Sequence, residues 1–302
     1  MLEMGESCVL TQHKNARIPE LIGHQVGKRI FIEQLDVTDI HALRALGRKY
    51  QFSGIVHLAA GSSGGPSIPH FLGGLGSAMA GIGNVLQAGM EWSVRRVSIA
   101  STLGVYFGVT ELPWHEDQPL PLTGAHWIIA CKKCGEIVSS YLSRQINVEA
   151  IIIRFPAMYG PFYDATRGSL VGRLVHAAVK GTTPTLDGIR GSVYAADGMD
   201  HCYVKDSARA VALLHAAEKL RHQTYNIASG RPTTNAEIVG AIQRVIPEFE
   251  VSLPAGHMPD LAGPVPYQDI HWLREDTGFR PQFDIVTGVA DYINWLHAGN
   301  ER

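Results

Sequence analysis

Residues 126–155 read HWIIACKKCGEIVSSYLSRQINVEAIIIRF, and this stretch decides the fold. Its first twenty residues carry apolar side chains at helical spacing, with charged and small polar residues between them. The last eight, VEAIIIRF, form a nearly unbroken apolar run of the kind buried on both faces of a parallel sheet. The same alternation extends upstream. The runs SCVLTQ (7–12), RIFIEQLDV (29–37), GIVHLAA (54–60) and RRVSIAST (95–102) read as strands. Between them, DIHALRALGRKY (39–50) and GSAMAGIGNVLQAGM (76–90) read as helices. Strands alternating with helices of this length predict right-handed βαβ units, an α/β chain with a doubly wound parallel sheet. Beyond RFPAMYGPF (154–162) the rhythm loosens and glycine and proline become frequent. The expected division is a Rossmann-like domain over 1–155 and a smaller substrate lobe over 156–302. Segments around 200–230, CYVKDSARAVALLHAAEKL and QTYNIAS, are expected to return to the main sheet.

Composition excludes several function classes. The 302 residues are 45% hydrophobic and 18% charged with a net charge of −2, so the chain lacks the basic face that a nucleic acid or anionic membrane surface wants. No apolar run reaches the ~20 residues needed to span a bilayer. The first residues, MLEMGESCVLTQHK, lack the pattern of a signal peptide. Four cysteines (Cys8, Cys131, Cys134, Cys202) do not make a disulfide framework in a chain this long, so a reducing cytoplasm is the expected location. Cys131 and Cys134 form a C-x-x-C in mid-helix, without the second pair or histidines a zinc site needs. Small buried thiols are expected there, and no metal. The fourteen histidines include no H-x-x-x-H or H-E-x-x-H pattern.

In a doubly wound sheet, ligands bind beyond the carboxyl ends of the strands. HLAAGSSGG, SIASTLGVY and RFPAMYGP all follow strands, so one cleft lined by these stretches is expected.

Taken in order, LDVTD, HLAAG, GIGNVLQAG, SIASTLGVYFG, CKKCGE, RFPAMYGP, YVKDSARAV, YNIASGRPTTNAEIV and DTGFRPQFDIVTGVADYINWL resemble the extended short-chain dehydrogenase/reductases, the NAD-dependent epimerase/dehydratases. The resemblance covers nearly the whole chain. It implies NAD or NADP as cofactor and a sugar, polyol or related carbonyl compound as substrate. It places Asp36 and Val37 at the adenine, and Ala59, Ala60 and Gly61 where backbone approaches the pyrophosphate and ribose. Thr102 takes the position that hydrogen-bonds the substrate oxygen. Lys132 takes that of the lysine on the nicotinamide ribose, and Pro156 and Tyr159 lie toward the nicotinamide end. The resemblance also implies a homodimer through a helix bundle made by segments 76–90 and 126–145.

Three departures bear on chemistry. The family opens with a strand and a G-x-x-G-x-x-G turn, whereas MLEMGESCVLTQ resembles the tail of the following helix and then the second strand. Either the true start lies upstream, which the abrupt mid-helix onset favours, or the protein folds without that strand. In both cases weak or absent dinucleotide binding is expected of this chain, with unpaired edges on two neighbouring strands. Second, Ile128 stands one turn before Lys132, where the family's catalytic tyrosine belongs; isoleucine carries no proton, and positioned acid/base catalysis is worth about 10²–10⁴-fold. His126 reaches the site only if it lies before the helix proper. Third, Met199 occupies the place of an arginine that binds a nucleotide-sugar diphosphate, with Arg167, Arg190 and Arg231 as other cations on loops. After the strand SCVLTQ, Lys14 and Arg17 stand where NAD enzymes carry an acid, a tilt toward NADP. Tyr106 has an ordinary structural reading, and the resemblance gives His57 either a structural place or one lining the cofactor site. Two functions remain open from the sequence: an epimerase/dehydratase-type oxidoreductase with impaired or altered hydride transfer, or a binding protein or redox-neutral enzyme that keeps the fold without a working dinucleotide site.

Overall fold

A computed structural model of the chain describes residues 1–14, 18, 20–59, 68–124, 126–162, 168–259 and 263–300. Ten strands are described: β1 (Cys8–Gln12), β2 (Ile30–Gln34), β3 (Gly54–His57), β4 (Arg96–Thr102), β5 (Glu149–Phe155), β6 (Ala157–Tyr159), β7 (Gly198–Met199), β8 (His201–Tyr203), β9 (Thr224–Asn226) and β10 (Thr233–Thr234). The α-helices are α1 (Glu20–Gly23), α2 (Ile40–Lys49), α3 (Ile68–Glu91), α4 (Trp127–Ile146), α5 (Leu170–Lys180), α6 (Val204–Ala216), α7 (Asn235–Gln243), α8 (His271–Thr277) and α9 (Ile285–His297). They form two compact units. The first holds Met1–Phe107, Leu120–Arg154 and His215–Tyr225; the second holds Gly108–Pro119, Phe155–Leu214 and Asn226–Arg302.

The first unit is an α/β layer structure. β3, β4, β5 and β9 lie side by side in that order, with β3 and β4 parallel, while β1 and β2 pair in parallel as a separate two-stranded sheet. Ala150–Ile153 of β5 are buried without interruption, as an apolar strand covered on both faces must be. β1 is different: it has no fully buried residue, and Leu10 is exposed. Among the described residues, β1 pairs only with β2 and β3 only with β4, so each carries one edge without a strand partner.

Local signals place the helices. Asp39 caps α2, its carboxylate accepting from the backbone N–H of His41 and Ala42 at 2.8 and 3.1 Å. Leu43 and Leu46, one turn apart, then face the core with Leu35 and Ala88. α3 and α4 pack closely, because Gly135 lets Ile82 approach to where a Cβ would sit 2.9 Å from its Cδ1. Ile82, Val85 and Leu86 of α3 meet Val97 and Ile99 of β4 and Ala150 of β5 in one core. At the start of the sheet Arg96, fully buried, makes a two-pronged ion pair with Glu149 and donates to the carbonyls of His215 and Ala217.

The second unit has its own core, where α5, α7 and α9 pack with Tyr159 and Tyr203. Capping boxes start two of its helices, Thr234 with Glu237 on α7 and Asp284 with Thr287 on α9. Buried Asp206 is satisfied by the N–H groups of Gln282 and Phe283. No described helix of the chain is long and apolar enough to cross a membrane.

Candidate functional site

The N-terminal turns of α4 build the site. His126 sits just before the helix in extended conformation as its N-cap, and its Nδ1 accepts from the N–H of Ile128 at 3.3 Å. This use of the ring explains its position: the imidazole closes the helix start. The next two turns present Trp127, Ile128, Cys131 and Lys132 to a pocket whose other walls include His57 and Ala59 from the end of β3 and Ala100 from β4.

Lys132 is largely buried, and its Nζ donates to the carbonyl of Ala100 at 2.7 Å. Burial lowers its pKa; the carboxylate of Glu136, one turn on, opposes that shift. His57 is 7% exposed, and burial, helped by the Lys132 charge, pushes its pKa down to about 4, so the ring is neutral at neutral pH. The indole of Trp127 rests over Gly74, where a Cβ would come within 2.6 Å of its ring, and its Nε1–H is buried with no acceptor among the described residues. Ile128 remains 37% exposed at the same pocket.

One turn further, α4 changes character. Buried Glu136 receives a two-pronged ion pair from Arg154 of β5, Nε to Oε1 at 3.1 Å and a terminal nitrogen to Oε2 at 2.8 Å. It also accepts from the Ser101 hydroxyl. The other arm of Arg154 donates to the Tyr106 hydroxyl at 2.6 Å. Tyr106 is fully buried in this network, in keeping with its structural reading. Sequence reasoning singled out neither Arg154 nor Trp127. The signal for Arg154 was available: a charge directly after the apolar run Ala150–Ile153 of a buried strand demands a partner.

The expected site residues divide. Ala59, Ile128 and Lys132 line one pocket. Thr102 ends β4, where its Oγ1 accepts from the N–H of Gly104 at 3.3 Å and caps the short 3-10 helix Leu103–Tyr106. Asp36 follows β2. Its carboxylate accepts from the N–H and hydroxyl of Thr38, which hold its pKa below the usual range, and lies 3.2 Å from His13 Nε2. Val37 packs under α3, its carbonyl accepting from Asn84 at 3.0 Å. Pro156 and Tyr159 belong to the second unit, where Tyr159 is 1% exposed and its hydroxyl donates to the Asp284 carbonyl at 3.3 Å. Ala60 and Gly61, like Arg17 and Arg167, lie outside the described residues. Met199 is half-buried in β7, paired with Thr233, while Arg190 and Arg231 are exposed. Of the C-x-x-C pair only Cys131 is buried. Cys134, three residues on, is exposed. Both thiols are free, and no metal-binding cluster occurs among the described residues.

Residues 2–228 match the sequence pattern described as the NAD dependent epimerase/dehydratase family. A curated relative, UDP-glucuronate 4-epimerase of Thermodesulfobacterium geofontis, is 23% identical over 265 residues, covering 87% of this chain and 78% of its own. Among solved structures, UDP-glucose 4-epimerase from Thermotoga maritima, determined with UDP-glucose, superposes with a TM-score of 0.79 at 16% identity, over 99% of this chain and 93% of that one. UDP-glucuronic acid 4-epimerase from Bacillus cereus, determined with NAD, gives 0.77 at 15% identity, over 98% and 92%. These superpositions show the same fold, and the match over three quarters of the sequence shows the lineage: this chain belongs to the NAD-dependent epimerase/dehydratase family.

Proposed function

We propose that the protein is an NAD-dependent epimerase/dehydratase-type protein acting on a sugar or a related carbonyl compound, with hydride transfer slowed by the absence of a positioned proton donor. The observation that carries this is the pairing of Ile128 and Lys132 in one pocket, one helical turn apart. The residues suit the nicotinamide end of the cofactor. Lys132 spends one N–H on Ala100 and keeps others for a ribose hydroxyl, and Ala59 is small enough for close approach. Asp36, with its depressed pKa, is an anionic acceptor in the same unit for the adenine end. NAD, when bound, supplies the hydride acceptor and donor. What this chain contributes is a charged donor, the neutral imidazole of His57 and an apolar wall; no phenolate stands one turn before Lys132 to take a substrate proton.

The test is Ile128→Tyr. With a tyrosine one turn before Lys132, turnover of a UDP-hexose or UDP-hexuronate is expected to rise by about 10²–10⁴-fold, read by product chromatography. An unchanged rate in a folded, NADH-binding variant sinks the reading. The break between the β1–β2 sheet and the sheet starting at β3 favours a second reading, a binding or redox-neutral protein that keeps the fold without a working dinucleotide site. Titration of NADH and NADPH to millimolar concentration with no fluorescence change would select it.

We further infer a homodimer through α3 and α4. Its support is a line of outward apolar side chains, with Leu72 on α3 and Ile137 and Tyr141 on α4 each more than half exposed.

A further inference from the structure

Three titratable side chains line the pocket at the start of α4: His57, Cys131 and Lys132. They differ in what each can do with a proton. Lys132 is an ammonium with three N–H bonds and no lone pair, and the Ala100 carbonyl holds one of those bonds. Burial raises the pKa of the Cys131 thiol, which therefore keeps its proton at neutral pH. His57 is the exception. Its imidazole is more than nine-tenths buried and has no hydrogen-bond partner among the described residues. Gly81 of α3 lies beside the ring, where a Cβ would sit 3.9 Å from its Cε1. Burial and the Lys132 charge keep the ring neutral, so one nitrogen carries a proton and the other a bare lone pair. None of the lining residues carries a carboxylate that would draw a second proton onto it. A buried polar ring without a partner is costly until a ligand answers it. A hydroxyl, at once donor and acceptor, is the group that matches such a ring. The same pocket holds Ile128, a side chain with no proton to give or lone pair to offer.

We propose that His57 is the proton carrier of this pocket, taking the proton of a substrate hydroxyl and returning it to the carbonyl oxygen. The inference rests on the proposed function, with an oxidised nicotinamide as hydride acceptor, and names the group through which its slow turnover runs. In the forward step the O–H proton joins the bare nitrogen of His57 while the electron pair of the adjacent C–H bond leaves as hydride, and a carbonyl forms. In the reverse step the same proton goes back to oxygen as hydride returns to carbon. The imidazolium between the two steps stands beside Lys132 in a desolvated wall, so little of it forms and it gives the proton up readily. His57 is thus a working carrier and a slow one.

The full chain is incubated with NAD and a UDP-hexose, and product is read by chromatography between pH 7 and pH 9. Wild-type turnover should be level over that range, because the ring stays neutral throughout. His57→Gln should lower it about 10²-fold at pH 7, and the remainder should climb about tenfold per pH unit as hydroxide takes the proton instead. Added imidazole should restore turnover to His57→Ala. In Ile128→Tyr, where the phenol carries the proton, the further change His57→Gln should leave turnover near that of Ile128→Tyr alone. A readout without the cofactor uses protein labelled with nitrogen-15 in histidine. The ring signals missing from His57→Gln or His57→Ala should shift in the wild type when the UDP-hexose is added with no NAD present. Circular dichroism and NADH titration check the fold and cofactor binding of each variant. The proposal is overturned by wild-type turnover in folded His57→Gln, by one pH slope shared by variant and wild type, or by His57 ring signals that ignore the UDP-hexose. A wild type without turnover that Ile128→Tyr activates removes this inference and leaves the proposed function standing. Turnover that His57→Gln abolishes and Ile128→Tyr fails to raise removes the missing tyrosine as the cause of slow hydride transfer and leaves this inference standing.

Discussion

Two neighbouring stretches of α4 solve the same problem in opposite ways. At Glu136 a buried charge is fully answered: two arms of Arg154 and the Ser101 hydroxyl surround the carboxylate, and the remaining arginine arm finds Tyr106. One turn earlier, half-buried Lys132 has a single backbone carbonyl, and the indole N–H of Trp127, which lines the same pocket, has no partner among the described residues. The first arrangement ties α4 to β4 and β5. The second leaves capacity unspent, which is what a site has and a brace does not. The contrast teaches that bracing and spare hydrogen-bonding capacity are separated along one helix by four residues.

Breaking the brace should have the largest effect. Arg154→Met strands the Glu136 carboxylate and should cost about 3–5 kcal/mol, measured by urea unfolding. Replacing both partners with apolar residues should recover much of that loss. Next comes acid. His57 has a folded pKa of about 4 against an ordinary 6.5, so the unfolded chain binds the extra proton between those values. Its contribution is present above pH 6.5 and lost as pH falls toward 4, up to about 3 kcal/mol. His57→Gln should flatten that limb of the stability–pH curve. On the unspent side, Lys132→Met should change stability by only about 1 kcal/mol, and toward greater stability, because a desolvated ammonium gives way to an apolar chain of similar length. A loss as large as that of Arg154→Met would erase the comparison. The smallest expected change in folding belongs to Ile137→Glu on the exposed face of α4, within about 0.5 kcal/mol. If the proposed dimer forms through this face, light scattering should show the variant as a monomer and the wild type as a dimer.

Much of the fold was legible because its signals are local. VEAIIIRF declared β5 by its nearly unbroken apolar run, and Leu43 and Leu46 declared the inner face of α2. That Ile128 and Lys132 line one pocket was legible too, since four residues apart lie on one face of any helix. What escaped was tertiary pairing. The partner of Arg154 lies 18 residues upstream on another element, and no short-range pattern announces it. The capping use of His126 needed the backbone angle at the helix start. The exposure of Cys134 needed to know which face of α4 is covered. Tyr159 shows the same limit: a tyrosine after a strand reads alike whether its hydroxyl meets a ligand or, as here, the Asp284 carbonyl.

Gly74 carries a last consequence. The indole of Trp127 occupies the volume where any side chain at position 74 would begin, so the two positions are not free to change independently. In a saturation screen, residue 74 should accept nothing but glycine while tryptophan stands at 127, and should tolerate alanine or serine once that residue shrinks. The history of the pocket is thereby written as a dependency between two helices, and the order in which substitutions can accumulate is fixed: the indole must go first.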